Sequence, residues 1–318
     1  MRRSWLNSCW VPVLALYLAG TAGADPGAPV SRMVKTGDID THVLDYAATA
    51  PCAPILLLHG AFGSTRLWEG VAKELARCHR VLVPDMRGRG RTALGERTLA
   101  PEQLARDTFA LLDALAVPAV HASGHSAGSI ALLQMLQQQP QRLLTATLVG
   151  SPTMVIGETS GPMGALSADL RRLAAGQAAL DPSLNQFREQ WQRLAPEPQR
   201  FSELAAQLAA RQAFEVDPSA VAGRRPVMVI RAGNDALIPP AAFDRLAQRV
   251  RADRIADFPE GTHQLPRQDP TRLAAVLAEF IDQGNLGTRA ATPQPCPAAV
   301  AQPLGQRADL GRATGRVE

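Results

Sequence analysis

Short apolar runs alternate with amphipathic stretches through most of this chain. Pro54 to Gly60, Arg80 to Asp85, Leu143 to Val149 and Pro226 to Gly233 each carry an unbroken apolar centre between turn residues. Such runs read as strands buried on both faces. Between them the apolar positions fall at helical spacing. Ser64 or Thr65 caps a helix through Arg77, with Leu67, Val71 and Leu75 on one face. Pro101 opens another to Leu115, aligning Leu104, Thr108 and Leu111. A third follows residue 126 and stops at Pro140, a fourth runs from Pro240 to Val250, and a last one from Pro270 to Ile281. A short strand is expected at Arg254 to Phe258. Near the start, Ser31 to Tyr46 alternate around Gly37-Asp38, which predicts an antiparallel edge hairpin.

This rhythm predicts an α/β fold, a mostly parallel, doubly wound sheet with helices on both faces. It breaks between Thr153 and Gly223, where helical stretches are separated by Pro and Gly and no strand-like run occurs. A helical insertion between two parallel strands predicts a cap over the strand ends, where ligands bind in such sheets. The expected organisation is a leader over 1–24, a core over 25–152 and 224–283, a helical cap over 153–223 and a disordered tail over 284–318. The tail is expected because it is rich in Ala, Pro, Gln, Gly and Arg without apolar period.

The leader changes the picture of compartment. Met1-Arg2-Arg3, an apolar run from Cys9 to Leu18 and the Ala22-Gly23-Ala24 site form a cleavable export signal, predicting a periplasmic or secreted protein. The run is shorter than the ~20 residues a bilayer span needs. The formal charge of +4 comes almost wholly from arginine, since Lys35 and Lys73 are the only lysines. Arginines mix with Asp and Glu and form no block with aromatics, which argues against a nucleic-acid face. Cys52, Cys78 and Cys296 survive signal removal, and their spacing matches no metal site. Cys52 and Cys78 each precede a buried strand, and export permits oxidation, so a Cys52–Cys78 disulfide is expected.

The chemistry centres on Gly124-His125-Ser126-Ala127-Gly128, set between an apolar strand and the helix from Ile130. Strand, pentapeptide and helix in that order place Ser126 on a sharp turn with its hydroxyl above the sheet. A serine needs a base, and the base needs an orienting group. Of the six histidines, only His263 lies in a loop between the last strand and the last helix. His42 and His79 read as strand starts, at the wrong end; His121 and His125 flank the turn, and His59 lies in the glycine loop. Asp235, closing the strand before, is the expected acid, with Glu158 as the alternative; an Asx-turn is the other use of Asp235. Oxyanion donors are expected from the N–H groups of Ala127 and Ala61, with Phe62 as pocket wall.

These pieces resemble the α/β-hydrolase fold superfamily, of the lidded esterase, lactonase and cofactor-free haloperoxidase type. The resemblance rests on residues 59–64, Pro84 to Thr92, 124–128, Gly233-Asn234-Asp235 and Gly261-Thr262-His263, in family order. It implies a Ser126–His263–Asp235 triad, a small-molecule substrate, and no metal or organic cofactor. The Asp85 to Thr92 loop is implied to be structural. Arg89 stands where the family often has histidine, and Ser129 where a second glycine is common. The activity implied is hydrolysis of a carboxylic ester, lactone or thioester. Carbon–carbon bond hydrolysis and perhydrolysis use the same triad, and a non-catalytic binding protein is the rival of another class.

Overall fold

A computed structural model describes residues 28–48, 52–151, 161–210 and 221–287. The leader, Glu158 and the tail from residue 288 lie outside the described residues. In chain order the core begins with β1 (Val30–Thr36), β2 (Ile39–Tyr46), β3 (Cys52–Leu58), α1 (Glu69–Leu75) and β4 (His79–Pro84). It continues with α2 (Pro101–Ala114), β5 (Val120–His125), α3 (Ala127–Gln138) and β6 (Leu143–Val149). Three helices follow, α4 (Gly161–Ala174), α5 (Pro182–Leu194) and α6 (Phe201–Ala209). The chain returns to the core with β7 (Val227–Ala232), α7 (Pro240–Val250), β8 (Arg254–Phe258), α8 (Leu265–Gln268) and α9 (Pro270–Gly287).

The strands form one eight-stranded sheet in the order β1-β2-β4-β3-β5-β6-β7-β8. Only β2 runs antiparallel to its neighbours, pairing with both β1 and β4. Alternation along β3 explains the two layers. Leu56 and Leu58 pack with α2, α3 and α7, whereas Ile55 and Leu57 pack with α1 and α9. Burial on both faces is why these strands carry no polar alternation. The C-terminal ends of β3, β5, β6, β7 and β8 therefore share one edge, and their loops converge there.

The turn between β5 and α3 is fixed by close packing. A Cβ on Gly124 would strike the Gly128 carbonyl, and one on Gly128 would strike the carbonyls of Leu58 and His59. These are backbone atoms, which cannot rotate away. Gly128→Ala is expected to cost several kcal/mol, on the order of a severe overpacking. A thermal melt within a degree or two of wild type would contradict this packing argument.

Two expectations need correction. No Cys52–Cys78 bridge forms: Cys78 is a free thiol, while Cys52 is disulfide-bonded to a different partner. Cys52 lies opposite His79 in the β3–β4 register, so Cys78 stands one residue off that pairing and before the start of β4. The last helix also runs past Ile281 to Gly287, into the segment expected to be tail. Phe280 and Ile281 are buried, and a Cβ on Gly284 would collide with Thr145, so the glycine that suggested a tail allows close helix–sheet approach.

Candidate active site

Ser126 joins β5 to α3 with φ 52° and ψ −119°, a left-handed backbone that a non-glycine residue adopts only when its surroundings enforce it. Three contacts do so. The Ser126 N–H donates to the Val149 carbonyl at 2.9 Å. The Ser129 hydroxyl donates to the Gly124 carbonyl at 2.6 Å. The Ser126 carbonyl accepts from the Ser129 N–H at 2.9 Å. Ser129, noted from sequence only as a departure from glycine, thus pins the turn. Its signal was visible; its role needed the fold.

Asp235 and His263 meet from the ends of β7 and β8. His263 Nδ1–H donates to Asp235 Oδ2 at 2.8 Å. The other carboxylate oxygen accepts from the N–H groups of Leu237 and Ile238 at 2.8 and 2.9 Å. The Asx-turn and the contact with His263 are therefore one arrangement, because the turn fixes the carboxylate while its second oxygen orients the imidazole. With the proton on Nδ1, His263 Nε2 keeps a lone pair. Among the described residues the Ser126 hydroxyl makes no hydrogen bond to His263.

His125 supplies a link that sequence reading missed. Its Nε2–H donates to the His263 carbonyl at 2.7 Å, and the two rings lie 4.8 Å apart. It is buried, and burial first, then the neighbouring His263 charge, lowers its pKa to about 3. It therefore stays neutral and tethers the His263 loop to the elbow. The residue occupies the variable position of the pentapeptide, so nothing in the motif marks it.

The glycine loop approaches Ser126 closely. A Cβ on Gly60 would lie 3.2 Å from Ser126 Cβ. Gly63 N–H closes a turn onto the Gly60 carbonyl at 3.1 Å, with Ala61 and Phe62 at its two central positions. The loop is braced from behind by His59, whose Nδ1–H donates to the Gly60 carbonyl at 2.7 Å and whose Nε2 accepts from Met86 N–H at 3.0 Å. Burial lowers the His59 pKa to about 4, so it too is neutral. Ala127 opens α3, where the first N–H groups have no intrahelical partner.

The helices between β6 and β7 pack on this edge. Leu170, Leu173, Leu184, Phe201 and Leu204 share a core with Ala61, and Phe62 and Ala127 pack against it. Phe62 meets Phe187 edge-on at 5.2 Å, and Phe187 lies 5.9 Å from Phe201. Trp191 Nε1–H donates to the Gly88 carbonyl at 2.8 Å, anchoring α5 to the loop after β4. The wall beside Ser126 is thus apolar and aromatic.

Neutral burial of His59 and His125 has a consequence for stability. Both titrate near ~6.5 when unfolded. The unfolded chain then binds more protons than the folded one from about pH 6.5 down to their folded values of about 4 and about 3. Stability is full above that window and lost as pH falls through it, by up to about 1.4 kcal/mol per pH unit for each histidine. Guanidinium unfolding should show a clearly lower midpoint at pH 5 than at pH 7. Equal midpoints would contradict neutral burial.

Residues 55–276 match the model of the Alpha/beta hydrolase family. The chain belongs to this family. Among the similar alpha/beta hydrolases and related chains is a protein of Variovorax paradoxus (strain S110) named as a carbamate hydrolase, RutD. It is 29% identical over 243 residues, covering 71% of this chain and 91% of its own. Rhodomycin D methylesterase DauP of Streptomyces sp. (strain C5) is 28% identical over 281 residues, covering 76% and 92%. The enol-lactonase of Burkholderia xenovorans LB400 superposes with a TM-score of 0.63 at 17% identity, covering 79% of this chain and 99% of its own. That last likeness is one of fold.

Proposed function

We propose that this alpha/beta hydrolase is an exported serine hydrolase that cleaves a carboxylic ester, lactone or thioester through an acyl-enzyme on Ser126. The observation that carries the reading is the oriented His263–Asp235 pair, bonded at 2.8 Å on the edge where the strained Ser126 turn stands. Strain of that kind is retained where the surrounding structure holds it for use. A methylesterase and a protein named as a carbamate hydrolase among the relatives suit acyl transfer.

His263 Nε2 takes the Ser126 proton as Oγ attacks the carbonyl carbon. Asp235 holds the imidazole in the accepting tautomer and stabilises the imidazolium. The N–H groups of Ala127 and Ala61 receive the oxyanion, aided by the positive end of α3. His263 then protonates the departing alkoxide or thiolate. Water, deprotonated by His263, releases the acid and restores Ser126. The helices α4 to α6 act as a lid, and Phe62 and Phe187 form the wall against which an apolar part of the substrate rests. Export is supported by the basic, apolar and small-residue leader, and a disulfide at Cys52 suits an oxidising compartment.

A panel of p-nitrophenyl esters of graded acyl length, several lactones and a carbon–carbon hydrolase substrate tests the reading. The expected result is the highest kcat/KM on an ester or lactone. Turnover confined to the carbon–carbon substrate would replace it with that chemistry, and no turnover of any would favour a binding protein.

A further inference from the structure

A second serine, histidine and aspartate stand in line at the far edge of the sheet. Ser31 Oγ lies 2.9 Å from His42 Nε2, and His42 Nδ1 lies 2.8 Å from Asp85 Oδ2. The sequence suggested that His42 sits at a strand start. It lies instead inside β2, whose antiparallel course carries it to the end of β4, beside Asp85. His42 and Asp85 are both buried, whereas Ser31 on edge strand β1 is exposed.

The protons on this line can be assigned. Arg91 Nη1 lies 3.3 Å from His42 Nε2, and a guanidinium N–H can only donate. Nε2 therefore holds a lone pair, and the ring proton is on Nδ1, toward Asp85. Asp85 is held as an orienting acid would be. Its Oδ1 accepts from Thr65 N–H at 2.6 Å, and its Oδ2 also accepts from Arg91 N–H at 3.0 Å. Burial alone would raise its pKa, but the His42 hydrogen bond and these N–H groups bring it below the usual carboxylate value.

A cleft of about 570 Å³ opens beside Asp85 and Arg91. Leu44, the register partner of Ser31, lines it together with Pro29, Asp85, Arg66 and Arg91. Lys73 in the same cleft pairs with Glu69 at 2.9 Å. The guanidinium groups of Arg66 and Arg91 pair with no carboxylate among the described residues, so the cleft offers both to an anion.

We propose that Ser31 is a second acyl-accepting serine, activated by His42 and Asp85, and that it takes acyl groups from small activated esters carrying a negative charge. His42 Nε2 takes the Ser31 proton while Oγ bonds to the carbonyl carbon. The ester C–O bond breaks, its electron pair leaves with the alcohol oxygen, and the proton passes from His42 to water. Ser31 stands within a strand rather than ahead of a helix, so it lacks the N-terminal N–H groups that serve Ser126. The modification is accordingly a single acylation rather than turnover.

The test uses the full mature chain carrying Ser126→Ala, which removes the other nucleophile, with p-nitrophenyl hemisuccinate as acyl donor and p-nitrophenyl butyrate as neutral control. Peptide mass spectrometry locates and times the adducts. Ser31 should be succinylated about 100-fold faster than the exposed Ser183 and Ser202, the gain a positioned general base supplies. Adding His42→Gln should erase that gain, and adding Arg91→Gln at its exposed site should erase the preference for the anionic donor. Acylation of Ser31 no faster than Ser183 and Ser202 would overturn the proposal without any His42 variant. So would an unchanged rate in a folded His42→Gln protein. Because Ser126 is absent throughout, either result leaves the reading of that site untouched.

Discussion

Ser126→Ala is expected to lower kcat on esters by about 10⁴-fold or more while leaving the thermal midpoint close to wild type. The two halves of this expectation come from different features. The rate falls because the proposed nucleophile is the Ser126 oxygen, and the Ser129 hydroxyl at the same turn is committed to the Gly124 carbonyl. Stability holds because the change deletes one oxygen of a half-buried residue that makes no hydrogen bond to His263, while alanine keeps the Cβ. The hydrogen bonds that enforce the left-handed turn, from Ser126 N–H to the Val149 carbonyl and from the Ser129 hydroxyl to the Gly124 carbonyl, do not involve the lost atom. Steady-state kinetics beside a melting curve checks both. Retained turnover of short p-nitrophenyl esters would remove Ser126 from the nucleophile role.

Asp235→Asn is expected to cut kcat on the order of 10⁴-fold, with little change in KM. The carboxylate has two jobs. Oδ1 accepts two backbone N–H groups, and Oδ2 accepts from His263 Nδ1–H. An asparagine keeps the first job with its oxygen, which turns its NH₂ toward His263. A donor there demands a lone pair on Nδ1, moves the ring proton to Nε2 and removes the atom that must accept the serine proton. The acid limb of the pH–rate profile should flatten or shift with it. Glu158→Gln, the alternative acid from the sequence, should stay near wild type. A near-normal Asp235→Asn enzyme beside a dead Glu158→Gln enzyme would move the acid to the segment after β6.

How much of this was legible in the chain follows from what each feature depends on. The buried strands and the helices around them were readable because burial on two faces writes itself into continuous apolar runs. Ser126, Asp235 and His263 stood out because each sits at the end of such a run, where the loops must converge. Pairwise geometry was not readable. The Cys52–Cys78 expectation failed on a one-residue register offset, which two apolar runs read along one sequence do not reveal. The extension of α9 to Gly287 escaped notice because a packing glycine and a tail glycine look alike in one sequence. His125 and Ser129 carried no signal of role, since one occupies a variable motif position and the other a place where small residues are interchangeable until the carbonyl of Gly124 is seen beside it.

On the proposed mechanism Ser126 becomes covalently bonded to substrate. The direct measurement is peptide mass spectrometry of the wild-type protein after brief exposure to one equivalent of a fluorophosphonate. One phosphonyl adduct is expected, carried by Ser126, with ester turnover lost in proportion to its occupancy. Full ester turnover in protein whose Ser126 is phosphonylated, or an inactivating adduct at another residue, would contradict it.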